Sequence, residues 1–203
     1  FSIIRVLTGI FGIHLLRLTT LNEWVCYIAA FTVITASVIA LYQDNLKRRL
    51  AFSTVGQLAY IIMGVGLASY LGVVGGVLHI VMHAFGKITL FFCAGAIYVG
   101  TKKKYISQMN GLGRQMPITM TAFFIGALSV TGLPPTGGFI SKWMMLQGAL
   151  QADMFWIMVI YLVSSFLNAC YFFPIVYKAF FFTKEASQYE DKIKEAPKWC
   201  LVP

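Results

Sequence analysis

Acidic residues are scarce in this sequence: seven in 203, against sixteen lysines and arginines. Charge of either sign is scarce too, at 11% of the chain, where a soluble domain carries roughly 25%. Glu23, Asp44 and Asp153 fall in polar breaks between apolar runs, and the other four acids crowd the stretch after Thr183. No carboxylate is left inside an apolar run to neutralise a base there. The four cysteines (Cys26, Cys93, Cys170, Cys200) form no C-x-x-C pair, and three of them lie in apolar stretches, which argues against a disulfide framework or an iron–sulfur site. Nucleotide fingerprints and flavin motifs are absent as well, so redox chemistry is not expected of this chain and no cofactor is assigned. There is no signal peptide, and Phe1 opens inside an apolar run, so the chain reads as part of a longer polypeptide.

What is abundant is hydrocarbon, with 59% of residues hydrophobic. A membrane span needs about 20 mostly apolar residues. Residues 1–19 qualify weakly, because Arg5, His14 and Arg17 interrupt them; 24–42, 50–69, 71–100, 118–150 and 155–181 qualify better. Strand-type alternation is missing, and only helices or closed barrels satisfy the backbone in lipid. The expected fold class is all-α, a polytopic transmembrane helix bundle. Small residues at Gly64, Gly66, Gly72, Gly75 and Gly76 would let its helices approach closely.

The run 118–150 is too long for one plain span and carries "GLPPTGG" at its middle. Pro134 and Pro135 withhold two backbone donors and disfavour helix before them. Counted as one broken crossing, it leaves Lys47, Arg48, Arg49, Lys102, Lys103, Lys104, Arg114, Lys178 and the tail lysines on one side, and only Arg17 on the other. Two crossings would split those bases. The positive-inside rule selects one broken span and a cytoplasmic basic side. The +9 net charge is then a topology signal, not a sign of nucleic acid. The expectation is a membrane domain over 1–181 with about six spans, the first truncated, and a charged cytoplasmic tail over 182–203.

Against this apolar background, "LHIVMHAFGKITLFF" (78–92) carries His79, His83 and Lys87 at steps of four. On a helix such steps share one face, and eight residues cover about 12 Å of axis. Lys87 is too deep to snorkel easily, and an ionised lysine at that depth costs several kcal/mol without compensation. A base in that position can take and give a proton at working pH, as histidine does unaided. The three together form the ladder that a membrane proton relay requires, with Thr89 and Ser53 placed to hold bridging waters. The plainer alternative is two histidines satisfying carbonyls and a lysine paired with an acid from elsewhere. A metal at His79 and His83 lacks a third ligand, and none is expected. "GLPPTGGFISKW" (132–143) supplies a hinge at Pro134, Pro135, Gly137 and Gly138, then Lys142 about one turn into the next half-helix. Broken helices commonly mark ion sites in transporters. The alternative is a kink with Lys142 snorkelling to the nearer surface. Asn168, Ser164 and Ser165 read as packing hydrogen bonds.

"QDNLKRRLAFSTVGQLAY", "HIVMHAFGKITLFFCAGAI", "GLGRQMPIT" and "GLPPTGGFISKW" together resemble, in order, the second half of the proton-conducting antiporter-like membrane subunits. That family includes large membrane subunits of respiratory complex I and subunits A and D of the multisubunit sodium/proton antiporters. The wording "SKW" looks most like the D-type antiporter subunit. The resemblance covers residues 1 to about 181. It implies an inverted-repeat fold of which this chain carries the second half, with His79, His83 and Lys87 on the central hydrophilic axis and Lys142 as the lysine of the exit half-channel. The first half of such subunits carries a glutamate–lysine pair that is not in this sequence, so the chain is not expected to transport alone. The function the resemblance implies is that of a proton-translocating subunit of a monovalent cation (sodium)/proton antiporter, in a bacterial inner membrane with other membrane subunits as partners. The alternative is a proton-pumping arm subunit of a complex I-like NADH-quinone oxidoreductase or a membrane hydrogenase. A third possibility is an inert scaffold for partner helices.

Overall fold

The computed structural model describes residues 2–181. The expected tail over 182–203 lies outside the described residues. An N-terminal helical segment runs through α1 (Ser2–Arg5), a π-helical stretch (Val6–Phe11) and α2 (Gly12–Leu18). Then come α3 (Leu21–Tyr42), α4 (Leu46–Gly66), α5 (Tyr70–Thr101), α6 (Leu112–Gln115), α7 (Pro117–Thr131), α8 (Gly137–Gln151) and α9 (Phe155–Phe181). No strand occurs among the described residues. The helices α3, α5 and α9 are long and apolar enough to cross a membrane. The chain is an integral membrane protein of helices.

Local chemistry explains the boundaries. The Asn45 side chain accepts from Arg48 N at 3.2 Å and caps α4, and Ser69 accepts from Gly72 N at 3.2 Å and caps α5. Pro117 opens α7 at a position where no N–H is needed. Gly132, at φ +82°, closes α7, and both Gly132 N and Leu133 N donate to Leu128 O. Arg49 is not merely a topology charge. Its guanidinium donates to Gln43 O, Leu41 O and Tyr171 O at 2.8, 3.2 and 2.9 Å, tying the end of α3 to α9.

The register along α5 shows how the broken span is built. Gly72 meets Gly148, Gly75 meets Met145, His79 meets Ser141, Met82 meets Gly137, Gly86 meets Val130, and Leu90 meets Gly126. Positions rise on α5 as they fall through α8 and then α7. The two half-helices therefore lie end to end, antiparallel to α5, as one interrupted rod. Glycine makes the approach possible: a Cβ on Gly148 would stand 2.4 Å from Gly72 N, and one on Gly138 only 1.8 Å from Ser129 O. Gly138→Ala is expected to push the two half-helices apart and lower the thermal unfolding midpoint in detergent. An unchanged midpoint would mean that the break tolerates being opened.

Two apolar clusters flank a buried polar layer. One contains Leu46 and Leu50, Leu90 to Ile97, Met120 to Val130, and Tyr171 to Ala179. The other contains Cys26 to Val33, Ala59 to Met63, Met145, Ala149, Ile157 and Tyr161. Between them α4, α5, the broken span and α9 contribute polar side chains to the interior: Ser53 and Gln57 from α4; His79, His83 and Lys87 from α5; Thr131, Ser141 and Lys142 around the break; Ser164 and Asn168 from α9. The outer surface is the reverse, with Phe85, Phe92, Trp156, Leu162 and Phe166 exposed. Polar inside and apolar outside is the distribution lipid imposes.

Candidate functional site: a buried axis of bases

All four bases singled out from the sequence are in the polar layer: His79, His83, Lys87 and Lys142 are 1%, 9%, 5% and 7% exposed. Helical spacing alone aligns the first three, and their rings and amine succeed one another down α5. His79 and His83 are stacked with ring centres 6.2 Å apart. Lys142 joins them from α8, because Ser141 beside it bonds His79.

Lys87 Nζ donates to Ser53 Oγ at 2.7 Å and to Leu50 O at 3.0 Å, and stands 5.7 Å from the centre of the Phe172 ring. Ser53 thus contacts Lys87 directly. Thr89, the other expected bridge, does not take part: it is half-buried and its hydroxyl turns back to Phe85 O. The reason is angular. Two residues beyond Lys87 on a helix is about 200° around the axis.

Lys142 does not snorkel to a surface. Its Nζ donates to Val130 O at 3.0 Å and Thr131 O at 2.9 Å, with Ser165 Oγ at 3.5 Å, and lies 4.6 Å from the centre of the Tyr60 ring. The acceptors explain why the span is broken here. The last carbonyls of α7 have no intrahelical donor and form the negative end of its dipole. The hinge at Pro134, Pro135, Gly137 and Gly138 turns the chain so that α8 brings Lys142 back onto them. Pro134 and Pro135 are themselves exposed, and Gly138 is buried at the crossing.

His79 ties α8 beside Lys142 to α4. Ser141 Oγ lies 3.0 Å from Gly138 O and 2.8 Å from His79 Nδ1; while it donates to the carbonyl it accepts from Nδ1–H, and it can turn to donate to Nδ1 instead. The other ring nitrogen, Nε2, faces the Gln57 carboxamide at 2.9 Å. A protonated ring donates there to the amide oxygen, as does the neutral Nε2–H tautomer; the neutral Nδ1–H tautomer needs the amide nitrogen. Gln57 can serve both forms by turning its amide. Tyr60 completes the group: its hydroxyl meets Ser164 and, at 3.4 Å, Ser165, and its ring lies 6.0 Å from that of His79. Sequence reasoning misses Gln57, Tyr60 and Ser141. The spacing of Ser53, Gln57 and Tyr60 (steps of four and three on α4) marks a polar face that could have been found. Ser164 and Ser165 make interhelical hydrogen bonds, to Tyr60 and, at 3.5 Å, to Lys142. Gln57 Nε2, His83 Nε2, Thr131 Oγ1 and Asn168 Nδ2 are buried without a hydrogen-bond partner among the described residues.

The site is thus a membrane helix bundle with basic side chains threaded through its centre and a helix broken around one of them. The sequence model for "NADH:quinone oxidoreductase/Mrp antiporter, TM" matches residues 2–168, and the chain belongs to that family. The NADH-quinone oxidoreductase subunit N of Desulforudis audaxviator (strain MP104C) is 40% identical over 154 residues, covering 76% of this chain and 31% of the relative. Among solved structures, a chain in the Mrp complex from Dietzia sp. DQ12-45-1b superposes with a TM-score of 0.78 at 26% identity, over 84% of this chain and 32% of that one. A chain of respiratory complex I from Thermus thermophilus with bound NADH gives 0.84 at 20% identity, over 98% and 42%, a likeness of fold. The chain spans about a third of the length of such relatives.

Proposed function

We propose that this chain carries protons along the buried axis from Lys87 through His83 and His79 to Lys142, as part of a larger antiporter-like subunit in a multisubunit membrane assembly. The observation that carries the reading is that both buried ammonium groups rest on neutral oxygens, with no carboxylate among their bonded partners. A lysine locked in an ion pair is held in its charged form; one held by hydroxyls and carbonyls can release its proton and keep its place. The unpartnered polar atoms of Gln57, His83, Thr131 and Asn168 line the same layer and offer bonds to water that would complete the chain of donors and acceptors. The basic loops face the cytoplasm in this reading, in line with the positive-inside rule.

Exchange of protons for sodium or another monovalent cation is the first finer reading, supported by "SKW" after the break and by the likeness to the Mrp complex. A specific observation favours a second: the relative from Desulforudis is an NADH-quinone oxidoreductase subunit. The acids of the described helices stand at their ends, so a cation site built of carboxylates belongs elsewhere in either assembly. Subunit masses and visible absorbance of the mildly solubilised complex separate the two. Flavin and iron–sulfur bands co-migrating with the chain establish the redox pump; a colourless set of small membrane subunits establishes the antiporter.

Gln57 gives a test of the axis itself. Gln57→Leu removes the partner of His79 Nε2 in both protonation states. Proton uptake by vesicles containing the assembly is expected to fall about tenfold, less than the hundredfold or more of a side chain that transfers the proton itself, with the amount of assembled complex unchanged. Wild-type uptake in this variant would remove His79 from the path.

A further inference from the structure

We propose that the corner where α4 begins and α5 ends binds the phosphate headgroup of an anionic phospholipid. A cavity of about 350 Å³ opens there, lined by Leu46, Lys47, Ala94, Tyr98, Lys104 and their neighbours. Three ammonium groups converge on one ring: Lys47, Lys104 and Lys102 Nζ lie 5.0, 5.3 and 5.6 Å from the centre of Tyr98.

The convergence is built by backbone, not by chance meeting of long side chains. Leu46 N donates to Lys104 O at 3.1 Å, and Ile106 N donates to Asp44 O at 2.8 Å, with Asn45 and Tyr105 bridged between them. The two loops are thus stapled together. The acid nearest in sequence, Asp44, is engaged by Ser107 through both its backbone N–H (3.1 Å) and its hydroxyl (2.7 Å). Lys102 takes a left-handed conformation, φ 58°, at the end of α5.

Helix dipoles do not account for this arrangement. Lys102 and Lys104 lie just past the C-terminus of α5, where cations are welcome, but Lys47 sits in the first turn of α4, where they are not. The quadrupole of one tyrosine offsets only part of the repulsion among three ammonium groups. A phosphate in the cavity beside Lys47 and Lys104, with Lys102 on the same ring, would offset more of it.

The apolar side of the cavity decides which phosphate. Phe91, Ala94 and Tyr98 recur at steps of three and four, so they share a face of α5, and that face leads from the lysines towards the middle of the helix. Phe91 is 40% exposed on it. A headgroup held by lysines with an acyl chain laid along that strip uses both halves of the surface. A free phosphate or nucleotide would use only the first.

The test uses the whole assembly carrying this chain, placed in nanodiscs of phosphatidylcholine and phosphatidylglycerol, then partly delipidated and weighed by native mass spectrometry. Phosphatidylglycerol is expected to be retained in preference to phosphatidylcholine. In the triple variant Lys47→Gln, Lys102→Gln, Lys104→Gln that retention is expected to fall about tenfold or more, as for loss of three juxtamembrane basic contacts. Equal retention in the variant overturns the proposal. So does full displacement of the lipid by soluble glycerol phosphate, which would show an anion site with no use for acyl chains. A photo-crosslinking residue in place of Ala94 keeps the test open if the triple variant does not assemble. An adduct of phospholipid mass supports the site; an adduct with a neighbouring subunit, or none, overturns it.

Discussion

Lys87→Ala is expected to abolish proton transport by the assembly while leaving the assembly itself intact. The two halves of that expectation have separate causes. Truncation removes the only amine on the α5 face and opens a gap of four side-chain atoms between Ser53 and Phe172. The gap interrupts any path that passes through this layer. A proton-handling side chain contributes about a hundredfold to ten-thousandfold where it acts directly, so flux should drop to about a hundredth or less of wild type. Stability moves differently. Among the described residues Lys87 makes no ion pair, so its loss leaves no described partner charge stranded in the bundle. Leu50 O still accepts from the Thr54 hydroxyl at 2.9 Å, and Ser53 can turn to a backbone carbonyl. The cost is that of a shortened buried side chain, offset by removing the burden of burying an amine. Proton uptake by reconstituted vesicles, set beside the yield of assembled complex from membranes, checks both halves. Normal uptake in Lys87→Ala would end the relay reading. Lost uptake with lost assembly would make Lys87 a packing residue.

The helices were legible in the sequence because lipid leaves few choices. Hydropathy alone bounds residues 155–181, and α9 runs Phe155–Phe181. The other boundaries moved by a few residues for identifiable reasons. The α4 helix starts at Leu46, not at 50, because Asn45 caps it ahead of the basic turn. The polar trio 21–23, which reads as a break, is the first turn of α3, where Glu23 suits the positive helix end. The break in 118–150 was legible from Pro134 and Pro135. That Lys142 would fold back onto the carbonyls of Val130 and Thr131 was not, because residues eleven and twelve apart meet only once the turn between them is known.

The candidate site divides in the same way. His79, His83 and Lys87 announce themselves because each is costly in an apolar run. Gln57, Tyr60 and Ser141 do not, because a neutral polar residue on a membrane helix has many ordinary uses. Only their convergence on His79 and Lys142 from two helices gives them a role. Gln57 gains importance from geometry: its amide meets His79 Nε2 at 2.9 Å while Ser141 Oγ meets Nδ1 at 2.8 Å, so these two groups must match every protonation state of the ring. No spacing rule contains that information.

Lys142 should respond to mutation differently from Lys87, because it is part of what holds the break together. In Lys142→Met the carbonyls of Val130 and Thr131 lose their donor at the buried end of α7, each at about 1–3 kcal/mol for an unsatisfied polar group. Water reaching the break would recover part of that cost. The expected result is lost transport together with a lower unfolding midpoint in detergent. Lys142→Arg separates the two effects. Arginine can still donate to the carbonyls and stack on the Tyr60 ring, so stability should return most of the way. Its guanidinium does not give up a proton in a protein, so transport should not return. The pair of variants therefore distinguishes a lysine that only supports the fold from one that exchanges protons there. Recovery of both properties in Lys142→Arg would show that a fixed positive charge at the end of α7 is all the site needs. The axis would then have to end at His79. Recovery of stability alone places a proton-exchanging amine at the gap in the helix, where the freed carbonyls hold its charged form and Ser165 and Tyr60 stand beside it when the proton leaves.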